Sequence, residues 1–244
     1  MADLHTFEDL TSKITGANTL KEQTLLYNLA KQTRGGAIVE IGSWKGKSIV
    51  WLAQGSKDGS GAKVYAIDPF IGAIKNYENG VRKDIPVSVL GDFKQALKIA
   101  KCEDIVEPIV MKSEEAIKGW NKPIGLIFID GDHSYGAVKQ DFELWSPFLV
   151  DGGIIAFHDV ACDIMTIRNK VLLLGEKGVR RFAKEFLCRK DYKQFRTVST
   201  ILYATKGKRD WSAWQVKLKM LGQNLVYFGY ISVRGVYHLV RKAL

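Results

Sequence analysis

Short apolar runs alternate along this chain with longer segments whose apolar residues recur at helical spacing. The runs that predict buried strands are 37–41, 63–67, 105–111 and the two that end at Ile129 and Phe157. The segments that predict helices are 19–33, 47–54, 88–101, 113–120 and 134–149. Strands and helices that alternate in this way indicate βαβ units. We therefore predict a Rossmann-like, doubly wound α/β fold with helices on both faces of a mostly parallel sheet. The β-rich stretch 192–204 would bring that sheet to about seven strands.

Polar side chains follow the two best-defined strands of this sheet. Asp130, Asp132 and His133 come directly after one strand, and His158 and Asp159 come directly after the next. The carboxyl ends of parallel strands meet at one sheet edge, where ligands bind in open α/β folds. The sequence therefore predicts an active site at this edge, with a divalent metal between its carboxylates.

The turn after the first strand reads VEIGSWKGKS and leads into a helix. Gly42 permits a close backbone approach and Gly46 permits the turn into the helix, but GxGxxG is absent. Glu40 would disfavour a pyrophosphate and favour a ligand that carries an ammonium group. Asp68 ends the second strand, where an acid commonly binds ribose hydroxyls.

The motifs VEIGSWKGKS, AIDPF, FIDGDHSY and GGIIAFHDV together resemble class I S-adenosylmethionine-dependent methyltransferases. More narrowly they resemble the metal-dependent O-methyltransferases of catechols and sugars. The resemblance covers about residues 20–207. It implies that the cofactor is S-adenosylmethionine and that the chain is an O-methyltransferase. The cofactor-binding residues that it implies are Glu40, Gly42, Ser43, Trp44, Ser48, Asp68, Ser113, Glu114 and Asp130.

The same resemblance implies that Asp130, His158 and Asp159 hold the metal. His158 departs from the Asp-Asp or Asp-Asn pair usual in the family, so it is either a ligand or a buried core histidine. Oxygen ligands favour Mg²⁺, whereas a histidine shifts the preference towards Mn²⁺. The acceptor hydroxyl must lose a proton, and the candidate bases are His133 and Asp132. His133 is favoured because the ordinary pKa of histidine suits neutral pH.

Charge separates the end of the chain from the rest. Residues 206–244 hold eight Lys or Arg and one acid, Asp210, whereas the preceding part is close to neutral. We therefore expect a methyltransferase domain over residues 1–207 and a basic amphipathic extension over residues 208–244. Three interpretations of the extension stay open: a peripheral membrane contact, a core-covering or homo-oligomer helix, and a nucleic-acid contact. Nucleic acid is the least favoured partner, because the catalytic part has no basic stripe.

The remaining composition excludes few classes. Cys102, Cys162 and Cys188 form no CxxC pair, so neither a disulfide frame nor a zinc site is indicated, and we expect a cytoplasmic protein. The long stretches 69–86, expected to be irregular, and 161–187 would lie at the ligand edge and contact the acceptor. The favoured acceptor is a sugar, glycan or other polyhydroxylated small molecule. Alternatives are metal-independent methylation of a phenol and a non-catalytic binding protein.

Overall fold

The computed structural model describes residues 4–78, 81–160, 165–167, 170–172 and 177–208. The helices of these residues are α1 (Leu4–Thr11), α2 (Leu20–Gln32), α3 (Ile49–Lys57), α4 (Leu90–Ile99), α5 (Ser113–Ala116), α6 (Tyr135–Trp145) and α7 (Lys177–Phe186). The first strands are β1 (Ala37–Ile41), β2 (Val64–Ile67), β3 (Ile71–Glu78), β4 (Val81–Ser88), β5 (Val106–Ile109) and β6 (Ile124–Ile129). The later strands are β7 (Leu149–Phe157), β8 (Met165–Ile167), β9 (Lys170–Leu172), β10 (Tyr192–Val198) and β11 (Ile201–Lys206).

Seven strands form one sheet in the order β10-β11-β7-β6-β1-β2-β5. The five strands from β7 to β5 in this order run parallel, while β11 is antiparallel to β7 and β10 is antiparallel to β11. The predicted Rossmann-like sheet of about seven strands is thereby confirmed. Stretch 192–204 supplies both antiparallel strands, which close one side of the sheet.

The central strands are buried on both faces, as expected when helices cover a parallel sheet on each side. Alternate residues of β1 enter two different hydrophobic clusters: Ile38 joins one, and Val39 and Ile41 join the other. The first cluster receives Trp51 of α3, together with residues of α2 and α4. The second is rich in aromatic rings from α6, α7, β7 and β10, and its members include Phe142, Trp145, Phe157, Phe182, Phe186 and Tyr192.

Helix α2 begins with a capping box at its N-cap residue, Thr19. The Thr19 side chain accepts a hydrogen bond from the Glu22 backbone N–H, and the Thr19 N–H donates to Glu22 Oε2 at 2.7 Å. The backbone N–H groups of Thr19 and Glu22 thus both have hydrogen-bond partners within the protein. The box also fixes the position of the Glu22 carboxylate, which matters at the functional site.

Stretch 69–86 is where the sequence prediction was wrong. Instead of irregular chain, β3 and β4 pair antiparallel, with Ile71 opposite Ser88 and Glu78 opposite Val81. The sequence between these strands is Asn79-Gly80, which is the strongest short-range hairpin signal, but polar residues and Pro86 obscured the alternation around it. Helices α1 and α7 were also not predicted. Within stretch 161–187, α7 buries Val179, Phe182 and Phe186 in the second cluster, so this part belongs to the core.

Candidate functional site

Backbone hydrogen bonds bring four strand ends side by side. Gly42 N–H donates to the Ile67 carbonyl, Asp130 N–H to that of Ile41, and His158 N–H to that of Ile129. Asp68 N–H likewise donates to the Ile109 carbonyl. Each residue that follows a strand is thus held by the neighbouring strand. The predicted convergence of Gly42, Asp68, Asp130 and His158 at one sheet edge is present in the structure.

Gly42 is required by packing between two turns. Its φ is +91°, and a Cβ added there would overlap the Asp130 carbonyl and the Gly131 backbone. The turn after β1 therefore lies directly on the turn after β6. The sequence prediction explained this glycine by close approach to a ligand, whereas the structure shows close approach to another segment of the chain.

Asp68 shapes the same turn. Its Oδ2 accepts a hydrogen bond from the Trp44 N–H at 2.8 Å, and its Oδ1 accepts one from the Phe70 N–H at 2.5 Å. Trp44 and Phe70 both have positive φ, 42° and 53°. A residue other than glycine adopts such a backbone conformation only when its surroundings hold it there. Asp68 thus stabilises the strained backbone at both Trp44 and Phe70. Asp68 also lines a cleft at this edge of the sheet.

Glu40 is fully buried behind this turn. Ser43 Oγ donates to its Oε2 at 2.5 Å, and Oε1 has no hydrogen-bond partner among the described residues. Burial raises the pKa of this carboxyl to about 8, although the Ser43 and Ser48 hydroxyls act in the opposite direction. Glu40 lines neither of the clefts described below, so its carboxylate reaches them only through these two serines or after a local movement.

Two adjoining clefts open at the sheet edge. The larger cleft, of about 520 Å³, is lined by Gly42, Trp44, Asp68, Ser113, Glu114, Asp130, Asp132, Asp141 and neighbouring residues. The smaller cleft, of about 240 Å³, is lined by Asn18, Ser43, Lys47, Ser48, Asp130, His133, His158 and Asp159, among others. Both clefts include Gly42, Trp44, Asp130 and Gly131. The two sites thus share a wall.

The far end of the larger cleft is acidic. Ser113 Oγ donates a hydrogen bond to Asp141 Oδ1, and burial raises the pKa of Asp141 to about 6. Glu114 and Asp132 add to this increase through charge repulsion. Asp141 was not predicted. It occupies the buried stripe of α6 with Val138, Phe142 and Trp145, and an acid at such a position is a signal that could have been noticed.

Asp130, His133 and His158 form a cluster in which each residue can offer one ligand atom to a metal ion. Asp130 Oδ1 lies 3.0 Å from His158 Nδ1 and 3.4 Å from His133 Nε2. Asp159, whose φ is +54°, lies beside the three members of this cluster. Its Oδ2 lies 3.4 Å from His133 Nδ1 and its Oδ1 lies 3.5 Å from His158 Nδ1.

These groups control one another's protonation. Burial alone would raise the pKa of Asp130, but the adjacent His133 and His158 imidazoles outweigh it and lower the pKa. Burial alone would lower the pKa of His158, but the carboxylates of Asp130 and Glu22 raise it to about 10. The hydrogen bond to Asp130 likewise raises the pKa of His133. The neighbouring carboxylates thus favour the protonated form of each imidazole, and a cation bound among these groups would oppose it.

His158 has the properties of a metal ligand on this side of the cluster. Its Nδ1 is buried and has no hydrogen bond of good geometry to any of the residues that the structure describes, even though Asp130 Oδ1 is only 3.0 Å away. Adjacent ligands on an octahedral ion with bonds of about 2.1 Å would be separated by a similar distance, about 3 Å. A set of one imidazole and two carboxylates suits Mn²⁺ or Mg²⁺. The residues present therefore fit the predicted metal.

Asp132 lies apart from this cluster. Its Oδ1 accepts a hydrogen bond from the Ser134 N–H at 2.7 Å, and its exposed side chain lines the larger cleft. Ser134, in turn, is the N-cap of α6. Of the two candidate bases, only His133 lines the smaller cleft with the metal-binding residues.

Sequence reasoning missed two contributors from the beginning of the chain. Asn18 Nδ2 lies 3.3 Å from His158 Nε2, and Glu22 Oε1 lies 3.7 Å from the same nitrogen. Both residues belong to the start of α2, which the sequence analysis treated only as a helix boundary. Only the three-dimensional arrangement shows that they adjoin His158.

The fold and its edge clefts define a Rossmann-like α/β domain with a cofactor-sized cleft beside a cluster of metal ligands. A family model described as "Methyltransferase domain" matches residues 39–160, which is half of the chain and contains the site. The chain belongs to this methyltransferase family. The class I S-adenosylmethionine-dependent methyltransferase resemblance is thereby confirmed.

Among curated proteins, the uncharacterized protein R132 of Acanthamoeba polyphaga mimivirus is 28% identical over 144 residues, which are 59% of this chain. The chain spans 55% of that relative's length. Among solved structures, cofactor-bound Rv0187 from MTB superposes with a TM-score of 0.58 at 18% identity, covering 84% of this chain and 89% of its own. The O-methyltransferase TomG from Streptomyces achromogenes, in complex with SAM, gives a TM-score of 0.54 at 19% identity, with coverages of 85% and 91%. These structural likenesses show a shared fold.

Proposed function

We propose that this protein is an S-adenosylmethionine-dependent O-methyltransferase that acts on a hydroxyl of a sugar, glycan or other small polyhydroxylated acceptor with the help of a divalent metal. The observation that carries the proposal is the shared wall of the two clefts. The residues Gly42, Trp44, Asp130 and Gly131 line both the cofactor-sized cleft and the cleft that holds the metal-ligand cluster. A methyl donor in one cleft and an acceptor in the other would meet at this wall.

The cofactor would lie along the larger cleft. Asp68 would accept hydrogen bonds from ribose hydroxyls, and Ser113 and Glu114 would lie beside the adenine. Where the two clefts meet, Ser43 and Ser48 of the smaller cleft would contact the methionine part, and an ammonium group there would favour the ionised form of Glu40. TomG, which has the same fold, binds SAM, and the O-methyltransferase from Bacillus cereus binds SAH.

The metal would be held by Asp130, His158 and Asp159. When bound, S-adenosylmethionine supplies an electrophilic methyl group, and the cation lowers the pKa of an acceptor hydroxyl. The protein's own task is to hold the hydroxyl at the shared wall and to accept its proton. In the overall reaction a carbon–sulfur bond breaks and a carbon–oxygen bond forms.

We assign the proton acceptor to His133, because its side chain lies in the smaller cleft between Asp130 and Asp159. Loss of a general base usually lowers the rate about 10²–10⁴-fold. His133→Asn should therefore lower kcat by such a factor, whereas Asp132→Asn should change it little. The reverse order of the two variants would move the base to Asp132.

Calorimetric titration tests the two-site proposal directly. S-adenosylhomocysteine should bind the protein, and Mn²⁺ or Mg²⁺ should bind with a separate heat that Asp159→Asn abolishes. The matched control is Asp151→Asn, which makes the same change at an exposed position at the opposite end of β7. Binding of the cofactor without any metal heat would leave a metal-independent methyltransferase, and failure to bind the cofactor would overturn the proposal.

The acceptor class requires a second measurement. Methyl transfer from labelled S-adenosylmethionine should occur with vicinal diols in sugars more readily than with monohydroxylated phenols, because two hydroxyls can reach one cation together. Preferential labelling of the simple phenols would overturn the sugar or glycan assignment while leaving the methyltransferase in place.

A further inference from the structure

We infer that Glu22 is a positioning residue that directs His158 towards the metal and thereby favours Mn²⁺ over Mg²⁺. This inference rests on the metal site of the proposed function. It concerns a residue near the beginning of the chain, outside the region matched by the family model.

Glu22 is buried, with 1% of its surface exposed. Its two carboxylate oxygens accept hydrogen bonds from two segments that lie far from each other in the sequence. Oε2 accepts the Thr19 N–H at 2.7 Å within the capping box of α2. Oε1 accepts the Thr200 hydroxyl at 2.6 Å and the Thr200 N–H at 3.2 Å, in the turn between β10 and β11. The carboxylate therefore has a defined position before any ligand binds.

The two nitrogens of His158 face different surroundings. Nε2 faces Glu22 Oε1 at 3.7 Å and the Asn18 side-chain amide at 3.3 Å, while Nδ1 faces Asp130 and Asp159. A neutral imidazole carries one proton, and an adjacent carboxylate favours the proton on the nitrogen that faces it. Asp130 and Asp159 favour the proton on Nδ1 by the same rule, but a cation that binds their carboxylates would remove this preference. Glu22 then favours the tautomer with the proton on Nε2, with the Asn18 amide turned so that its oxygen accepts, and this leaves the Nδ1 lone pair for the metal. A carboxylate that orients a histidine ligand in this way also increases its basicity.

A glutamate at position 22 favours a histidine over an aspartate at position 158. An aspartate at position 158 would place a carboxylate beside the buried carboxylate of Glu22, and like charges at this distance repel each other strongly when water is excluded. A histidine at 158 instead gains from Glu22. A nitrogen ligand raises the affinity for Mn²⁺ relative to Mg²⁺, which prefers oxygen ligands.

The test is to titrate Mn²⁺ and Mg²⁺ separately into the full chain and to compare Glu22→Gln with the wild type. Removing such a partner typically costs about 10–100-fold in metal affinity, so Mn²⁺ binding should weaken by at least tenfold. Mg²⁺ binding should weaken less, and S-adenosylhomocysteine affinity should not change. Glu143→Gln, at an exposed position in α6, is the matched control.

The same change in a His158→Asp background separates positioning from folding. There Glu22→Gln should weaken metal binding far less than it does beside His158, because only the general attraction of a negative charge for the cation is lost and no histidine ligand is left to position. This comparison also serves if Glu22→Gln alone does not fold. Equal losses of affinity in both backgrounds, or unchanged Mn²⁺ affinity in Glu22→Gln, would overturn the inference. A wild-type protein that binds neither ion would overturn the proposed metal site itself.

Discussion

At the scale of single residues, Glu40 makes the clearest electrostatic prediction. Its carboxyl is fully buried, and its pKa of about 8 in the folded chain compares with an ordinary value of 4.5. A group whose pKa is raised by folding stabilises the fold fully below its unfolded pKa. That contribution is lost as pH rises through the folded pKa. Glu40 should therefore reduce the free energy of unfolding progressively between about pH 4.5 and pH 8.

Glu40→Gln should remove this pH dependence. The free energy of unfolding of the variant, relative to the wild type, should rise between pH 4.5 and pH 8 by up to about 1.4 kcal/mol per pH unit. Urea unfolding at several pH values measures the difference, and groups common to both proteins cancel. Glu115→Gln, at an exposed position, is the control and should show a flat difference. A flat difference for Glu40→Gln as well would mean that Glu40 is ionised in the fold.

Residue identity alone was enough to indicate much of the site. Asp130, His158 and Asp159 follow buried strands, and strand ends meet in a parallel sheet, so their proximity followed from the fold class. Glu22 and Asn18 could not be found in this way. They precede the first strand, and their approach to His158 depends on how α2 packs across the sheet. Helix packing depends on side-chain shapes that a periodic pattern does not encode.

At the scale of elements, the site depends on the contact between the turns after β1 and β6. Gly42 and Gly152 both have positive φ, 91° and 80°, but only Gly42 lies against another backbone segment. An added Cβ at Gly152 would meet nothing within 4 Å. The two glycines therefore separate the cost of backbone strain from the cost of crowding.

Gly152→Ala should lower the free energy of unfolding by about 1–2 kcal/mol, the usual strain of a left-handed residue. Gly42→Ala should cost more than about 3 kcal/mol, because the Asp130 carbonyl and the Gly131 backbone must also move. It should also weaken metal binding, since Asp130 belongs to the cluster. Urea unfolding measures the first effect and metal titration the second. Equal costs for the two substitutions would show that the turns do not press on each other.

Elements differed in how well the sequence predicted them. Strands β1 and β6 are nearly continuous apolar runs. A short apolar run that lies between two helical segments is typical of a parallel strand buried on both faces, so these strands could be predicted. The hairpin of β3 and β4 carries polar residues on both strands and contributes nothing to the seven-stranded sheet. Its pairing is local, so only the turn signal could have indicated it. Five of the ten residues of helix α7 are Lys, Arg or Glu. Because of these charges, the apolar residues Val179, Phe182 and Phe186 were not recognised as the buried face of a helix.

At the scale of the whole molecule, the described fold and the basic extension are two parts whose roles have to be considered separately. The last strand within the described ranges ends at Lys206, and the hydrophobic clusters of those ranges run from Phe7 to Ala204. None of the helices within the described ranges is long and apolar enough to cross a membrane. The predicted extension, residues 208–244, lies outside those ranges except for its first residue, so its role is a matter of sequence and charge.

One of the three open interpretations of the extension, a peripheral contact with an anionic membrane surface, leads to a direct test of its charge. Each Lys or Arg near such a surface contributes about 1 kcal/mol, and this attraction is screened by salt. The full chain should therefore sediment with vesicles containing phosphatidylserine at low ionic strength and be released at about 0.5 M salt, where the screening length is only a few ångströms. A chain that ends at residue 207 should bind the vesicles weakly and still bind S-adenosylhomocysteine with unchanged affinity. If both chains sediment equally, the membrane contact lies elsewhere. If the shorter chain loses the cofactor, the extension is part of the domain, and the boundary at residue 207 is wrong.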